Sequence, residues 1–257
     1  TTTEYRYSVV MSIDTKDLAL LLRDKYDGVP TPAFKEDMLR LSEGEPLAYV
    51  IGWIPFLGLR IHLDSHPLIP RPETEWWTEV LCEHLQKRSH PISVLDLCAG
   101  SGAIGLSVLS RVPNALVSFA ELSSLHSALI SMNSEANSLD ASRADIRSGD
   151  LFAPFYTEKF DVIASNPPYI PSERELEESV LWYEPSEALF AGTDGLDVIR
   201  RIITEAPEHL NSGGELWMEC DTANIEEAAM LMREHFQNVA IRTDPYGRPR
   251  VCVGYFL

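Results

Sequence analysis

Val94-Leu95-Asp96-Leu97-Cys98-Ala99-Gly100-Ser101-Gly102-Ala103-Ile104-Gly105 is a strand, a glycine turn and the start of a helix, in that order. Gly100, Gly102 and Gly105 satisfy G-x-G-x-x-G, where glycines allow the tight turn and let a ligand approach the backbone closely. Taken alone the pattern suits NAD, FAD or S-adenosylmethionine equally well. Glu121 ends the next strand about 20 residues on, where a carboxylate can hold a ribose diol in any of these classes.

Outward from this unit, the chain alternates. The patterning predicts strands over Ser93–Leu97, Leu116–Ala120, Phe160–Ala164 and Glu215–Glu219, with a weaker one before Gly149-Asp150. Helices are expected from about Ala103, over Leu125–Ala136, from about Gly195 to Ala206 and over Ile225–Glu234. This is the pattern of an α/β, Rossmann-like, mainly parallel sheet. Strands Val239–Arg242 and Arg250–Phe256 have no helix between them, so they should add an antiparallel pair at one edge. Upstream, Leu18, Leu21 and Leu22 share a helix face behind Asp14 or Thr15. A second helix starts at Thr31-Pro32 and breaks at Gly44-Glu45-Pro46. Tyr49–Leu63 reads as a hairpin, and Trp77, Leu81 and Leu85 give the next helix its apolar stripe. The expected division is a helical unit over 1–45, a hairpin linker over 46–70 and a catalytic domain over 71–257.

Two features favour S-adenosylmethionine. Asp96 stands just before the glycine turn, where its carboxylate attracts an ammonium or sulfonium and repels a pyrophosphate. Ser165-Asn166-Pro167-Pro168-Tyr169 then ends the fourth strand, and hydride transfer has no use for it. Consecutive prolines donate no ladder bonds, and a residue before proline is pushed to extended geometry, so the loop is stiff. It offers the Asn166 side-chain oxygen and the Pro167 carbonyl as acceptors, with Pro168 stiffening the loop and Tyr169 supplying an aromatic face. A planar amide or amino –NH2 can donate to both acceptors and present its nitrogen to a methyl group. Gly149-Asp150-Leu151 lies where an adenine would sit; Leu151 can cover the ring, while Asp150 is either a contact or a turn residue.

Bulk properties narrow the partners. With 39 acidic and 21 basic residues the net charge is −18, and no basic run is visible, which disfavours nucleic acid and anionic membranes. No apolar run reaches the ~20 residues of a membrane span. The start of the chain, with Glu4 and Asp14, lacks a leader's basic and apolar pattern. The four scattered cysteines, Cys82, Cys98, Cys220 and Cys252, suit a reduced, cytoplasmic protein. His62 and His66 lack a third ligand, so no metal is expected. Trp53, Trp76, Trp77, Trp182 and Trp217 read as packing residues, and Glu173–Glu178 as a solvated helix beside the acceptor loop.

From Gly44 almost to its end the chain resembles the HemK/PrmC-type release factor glutamine methyltransferases. The resemblance rests on Gly44-Glu45-Pro46-Leu47-Ala48-Tyr49, Leu68-Ile69-Pro70-Arg71-Pro72-Glu73-Thr74-Glu75, the Asp96–Gly102 turn, Asn166-Pro167-Pro168-Tyr169-Ile170 and Gly247-Arg248-Pro249-Arg250. It implies a class I S-adenosylmethionine-dependent methyltransferase behind a helical domain, methylating N5 of the glutamine in the Gly-Gly-Gln loop of peptide chain release factors. Carried over by position, cofactor contacts fall on Cys98, Ala99, Gly100, Ser101, Gly102, Glu121, Leu151 and Asn166. Substrate contacts run from Asn166 to Tyr169, with Arg71 and its neighbour Glu73 closing over the site. On the residues alone, Arg71 could equally pair with Glu73 or Glu75. The part before Gly44 is shorter than the family's usual helical domain, and Leu151 stands where an aromatic would stack better. The acceptor loop is shared with adenine-N6 DNA methyltransferases. Adenine in nucleic acid and a ribosomal-protein glutamine are therefore the alternative acceptors, and a silent cofactor-binding scaffold is the non-enzymatic one. A monomer is expected.

Overall fold

The structure, a computed structural model, describes residues 13–257; residues 1–12, with Glu4 and the stretch read above for a leader, lie outside the described residues. Asp14 caps α1 (Thr15–Tyr26) by accepting the Lys16 amide, one of the N–H groups that a helix start leaves unpaired. Pro32 opens α2 (Pro32–Ser42), where its missing N–H costs nothing. Tyr49–Leu63, expected to be a hairpin throughout, begins instead with a short helix, α3 (Leu47–Ile51), which buries Tyr49 and Val50 and stops at Gly52. A short unbroken apolar run has no period, so alternation cannot separate helix from strand there. Pro46 and Gly52 set the boundaries. The hairpin follows, with β1 (Trp53–Phe56) antiparallel to β2 (Leu59–His62). Leu21, Leu41 and Val50 form a small core of their own among these helices.

α4 (Pro72–Leu85) buries Trp77, Leu81 and Leu85 against the main sheet. That sheet comprises β3 (Ile92–Leu97), β4 (Ala115–Glu121), β5 (Ala144–Ser148), β6 (Phe160–Ser165), β7 (Leu210–Glu219), β8 (Asn238–Thr243) and β9 (Pro249–Tyr255). The intervening helices are α5 (Ala103–Arg111), α6 (Ser124–Ala136), α7 (Glu178–Tyr183), α8 (Asp197–Glu205) and α9 (Ile225–Met232). The seven strands lie in the order β5-β4-β3-β6-β7-β9-β8. All pairs from β5 to β7 are parallel, and β9 runs antiparallel to both β7 and β8. The last strand is thus inserted inside the edge, with β8 outside it.

Central strands are apolar on both faces because helices cover both. Val94, Phe119, Val162 and Trp217 belong to the core shared with α4 and α5, whereas Leu95, Leu97, Ile163 and Met218 belong to the one shared with α8 and α9. Strand order reverses beside β3: the chain steps outward through β4 and β5, then returns to β6 on the other flank. In such sheets ligands bind beyond the carboxyl ends of the strands at that reversal. Here the ends are the glycine turn and the Asn166 loop. Leu97 pairs with Ser165, whose Oγ donates to the Leu97 carbonyl at 2.7 Å and ties the two ends together.

Two local expectations are corrected. Glu173 to Glu177 is not helical, and α7 starts only at Glu178. Its polar bonds run elsewhere, from Ser172 to the Gly192 carbonyl and from Arg174 to Asp221. Trp182, expected to pack, is 68% exposed on this short helix, while Trp77 and Trp217 are fully buried. Among the described residues, no helix is long and apolar enough to cross a membrane.

Candidate active site

The glycine turn is built for close packing on one side and open space on the other. Gly102 has φ +80°, and a Cβ there would meet Ile130 Cγ2 at 2.9 Å. A Cβ on Gly105 would meet Phe119 at 2.3 Å, which is how α5 seats against β4. Glu121 holds the turn from the neighbouring strand. Its Oε2 accepts the Gly100 amide at 2.7 Å and its Oε1 the Ser123 amide at 2.9 Å. Each carboxylate oxygen keeps a further lone pair for a ligand hydroxyl. Asn133, fully buried on α6, donates to the Ser101 carbonyl (3.0 Å) and accepts the His62 amide (2.8 Å), pinning the turn to β2. No motif signalled Asn133, since a helix asparagine usually faces solvent.

Beyond the turn lies a cavity of about 300 Å³. Of the residues expected there, Cys98, Ala99, Gly100 and Ser101 form one wall. Glu121, Asp150 and Leu151 form another, and Asn166 and Pro168 reach it from β6. Cys98 (φ 60°) and Leu151 (φ 45°) both adopt left-handed backbone. Burial, with Glu121 nearby, pushes the Cys98 thiol up to about 12, so it is no thiolate at neutral pH. Asp150 forms a two-point ion pair with Arg201, 2.7 Å at its shorter contact. Sequence reading missed Thr74, Ser123 and His126, which also line the cavity. His126 Nδ1 lies 2.7 Å from Ser65 Oγ, and burial lowers its pKa.

Asp96 and Gly102 are not on that wall. Asp96 is fully buried behind the turn, because its side chain leaves β3 on the α5 face, where Oδ2 accepts the Gly105 amide at 2.8 Å. Its Oδ1 has no hydrogen-bond partner among the described residues, and burial pushes its carboxyl well above the usual range. Contact with a ligand cation, as anticipated from sequence, does not follow from this placement.

The Asn166 loop sits on a buried polar network. Asn166 Nδ2 donates to Thr74 Oγ1 (3.2 Å), and Thr74 Oγ1 donates to Glu219 Oε2 (2.7 Å). Trp77 Nε1 donates to the same oxygen at 2.6 Å, and the Tyr169 hydroxyl to Glu219 Oε1 at 3.2 Å. Burial, opposed by these donors, still leaves the Glu219 carboxyl above its ordinary pKa. Burial and the Glu219 charge also push the Tyr169 phenol up, so it stays a neutral donor. Asn224 Nδ2 donates to the Tyr169 carbonyl at 3.1 Å. Asn166 Oδ1 is shielded from solvent and has no hydrogen-bond partner among the described residues. An orphaned buried acceptor costs about 1–3 kcal/mol, which a ligand donor would relieve. Pro167 and Tyr169, expected to meet the acceptor, do not line the cavity.

Arg71 pairs with neither Glu73 nor Glu75. Its Nη2 lies 2.6 Å from Glu184 Oε1, and Glu184 Oε2 accepts the Ile69 amide at 3.2 Å. This clamps the segment ahead of α4 onto the one after α7. Glu73 faces Arg248 (3.3 Å) and Arg250 (3.6 Å), and Glu75 Oε1 accepts the Leu57 amide at 2.7 Å.

Comparison with known proteins identifies the family and the fold. The family model described as "Methyltransferase small domain" matches residues 73–183. The release factor glutamine methyltransferase of Geobacter sulfurreducens is 35% identical over 255 residues, spanning 98% of this chain and 88% of that protein. The Bordetella pertussis protein of the same name is 38% identical over 226 residues, spanning 87% and 82%. Among solved structures, the T. thermophilus 16S rRNA N2 G1207 methyltransferase superposes with TM-score 0.58 at 19% identity, over 80% of this chain and 50% of that one, a likeness of fold.

Proposed function

The chain belongs to the release factor glutamine methyltransferase family, and from that premise we propose that it methylates N5 of the glutamine in the Gly-Gly-Gln motif of a peptide chain release factor. The methyl donor is S-adenosylmethionine, which when bound supplies an electrophilic methyl on a sulfonium. The wall fits such a group: Glu121 has lone pairs free for vicinal hydroxyls, Leu151 offers an apolar face and the turn exposes backbone at Gly100.

One observation carries the acceptor assignment: the unpartnered Oδ1 of Asn166, held on a stiff loop at the cavity edge. An amide nitrogen is a poor nucleophile because its lone pair is shared with the carbonyl. As it attacks, positive charge grows on nitrogen and its hydrogens. Asn166 Oδ1 stabilises that charge, as an oxyanion hole does with opposite sign. Holding the nitrogen in line supplies the rest. The proton becomes acidic only after attack, so no strong base is required beforehand. Arg71 holds the closing segment through Glu184. The protein works as a monomer in the cytoplasm on a protein acceptor, without nucleic acid or membrane, in keeping with its charge of −18.

The test is methyl transfer from labelled cofactor to a release factor, with the modified residue located by mass spectrometry and an adenine-containing DNA run alongside. Asn166→Ala should lower turnover roughly 10²–10³-fold with unchanged melting. Near-normal turnover by Asn166→Ala, or label on DNA alone, overturns the assignment.

A further inference from the structure

A carboxamide is nearly symmetric in shape, so Asn166 could present either its oxygen or its NH2 to the substrate. Only the oxygen suits an –NH2 acceptor. The choice is made beneath the loop. Thr74 Oγ1 carries a single proton and lies between Asn166 Nδ2 (3.2 Å) and Glu219 Oε2 (2.7 Å). A carboxylate is the stronger acceptor, so the hydroxyl proton goes to Glu219. The hydroxyl is then left as an acceptor toward Asn166, which must turn its NH2 downward and its oxygen away. Glu219 itself is held by donors on both oxygens, Trp77 Nε1 on one and the Tyr169 hydroxyl on the other. Glu219 is 1% and Thr74 3% exposed, so water does not compete for these bonds. Thr74 comes from α4 and Glu219 from β7, elements distant in sequence from the acceptor loop.

We propose that Thr74 and Glu219 are positioning residues that fix which end of the Asn166 carboxamide faces the acceptor nitrogen. This rests on the acceptor assignment above. Thr74→Val keeps the branched shape and removes the acceptor, leaving the carboxamide free to present its NH2, which repels the substrate's N–H bonds. Thr74→Ser restores the hydroxyl.

The experiment is single-turnover methyl transfer, with the KM of the protein acceptor, cofactor affinity by calorimetry and melting temperature recorded for each variant. Thr74→Val should lower the rate constant about 10- to 100-fold, the scale of a misplaced reacting group. Acceptor KM and cofactor Kd should stay within about twofold, and Thr74→Ser should recover most of the rate. Because Thr74 acts through Asn166, Thr74→Val placed on Asn166→Ala should cost nothing further. A Thr74→Val rate within twofold of wild type, or losses that multiply in the double variant, overturns the proposal. A readout on the unmutated protein guards against misfolding of the variant: hydrogen exchange of the Asn166 side-chain NH2 by NMR. Slow exchange supports the downward NH2, and exchange as fast as an exposed asparagine's refutes it. The two failures are distinguishable. If the unmutated enzyme labels a different –NH2 acceptor, the glutamine assignment falls, and the same variants are measured on that acceptor. If it labels none, the NMR experiment decides alone.

Discussion

Arg71→Ala tests whether the segment ahead of α4 is held over the cavity by a buried charge. Glu184 is 1% exposed at its side chain and has Arg71 Nη2 at 2.6 Å, with the Ile69 amide, at 3.2 Å, as its second partner among the described residues. Removing the arginine strands a carboxylate with one neutral donor. Breaking a fully buried pair costs about 3–5 kcal/mol, and an exposed one about 0–1. The Arg71 side chain is 35% exposed, so water can replace part of what it supplied, and the loss should fall near ~2 kcal/mol. For a chain of this size that is a drop of roughly 4–8 °C in melting temperature. Glu184→Gln removes the stranded charge, so Arg71→Ala made on that background should cost clearly less than on the native one. Thermal melting of the four proteins gives the cycle, and cofactor calorimetry reports on the wall, since Leu68 and Pro70 line the cavity on either side of Ile69. If Arg71→Ala melts within a degree of the native protein, or costs the same on the Glu184→Gln background, the clamp has no energetic weight.

Two further substitutions probe the scaffold. Gly105→Ala drives a Cβ to 2.3 Å from Phe119, a fully buried ring with nowhere to go, and should destabilise by about 1–3 kcal/mol despite alanine's better helix propensity; urea unfolding showing no loss refutes the close seating of α5. Asp161 ties β6 to β3 and β7: burial alone would raise its carboxyl, but the Ser93 amide and hydroxyl and the Asn211 amide together hold it below the usual value. A depressed folded pKa stabilises above the unfolded value of about 3.9 and is lost as pH falls through the folded one, so Asp161→Asn should flatten the acid limb of stability below about pH 4; an unchanged limb refutes it.

The glycine turn, Glu121 and the Asn166 loop were legible because each sits at a strand end, where local chemistry alone sets conformation. What escaped reading depends on contacts between distant segments. Arg71 stands two residues from Glu73, yet its partner is Glu184, 113 residues away. Thr74 and Glu219 meet at 2.7 Å across 145 residues. Neither pairing leaves a periodic trace. Asp96 was misplaced for another reason: alternation along β3 shows that Val94 and Asp96 share a face, but not whether that face meets the cavity or α5. Tyr49–Ile51 reads as strand because so short an apolar run carries no period, and only Pro46 and Gly52 betray the helix.

Backbone conformation ties these observations together. Asp27 and Ser138, non-glycine residues with positive φ, follow helix ends, and Leu57 turns the hairpin, all places where chain direction alone demands it. Cys98 and Leu151 are different, since both line the cavity, one after β3 and one after β5. A left-handed L-residue costs about 1–2 kcal/mol, which glycine at either position would avoid. Glycine would also remove a wall. Leu151 is 7% exposed, its side chain spent on the cavity and the α8 core, and Cys98 packs against that same core. Both strained residues line one pocket, where the cheaper glycine would leave it more open.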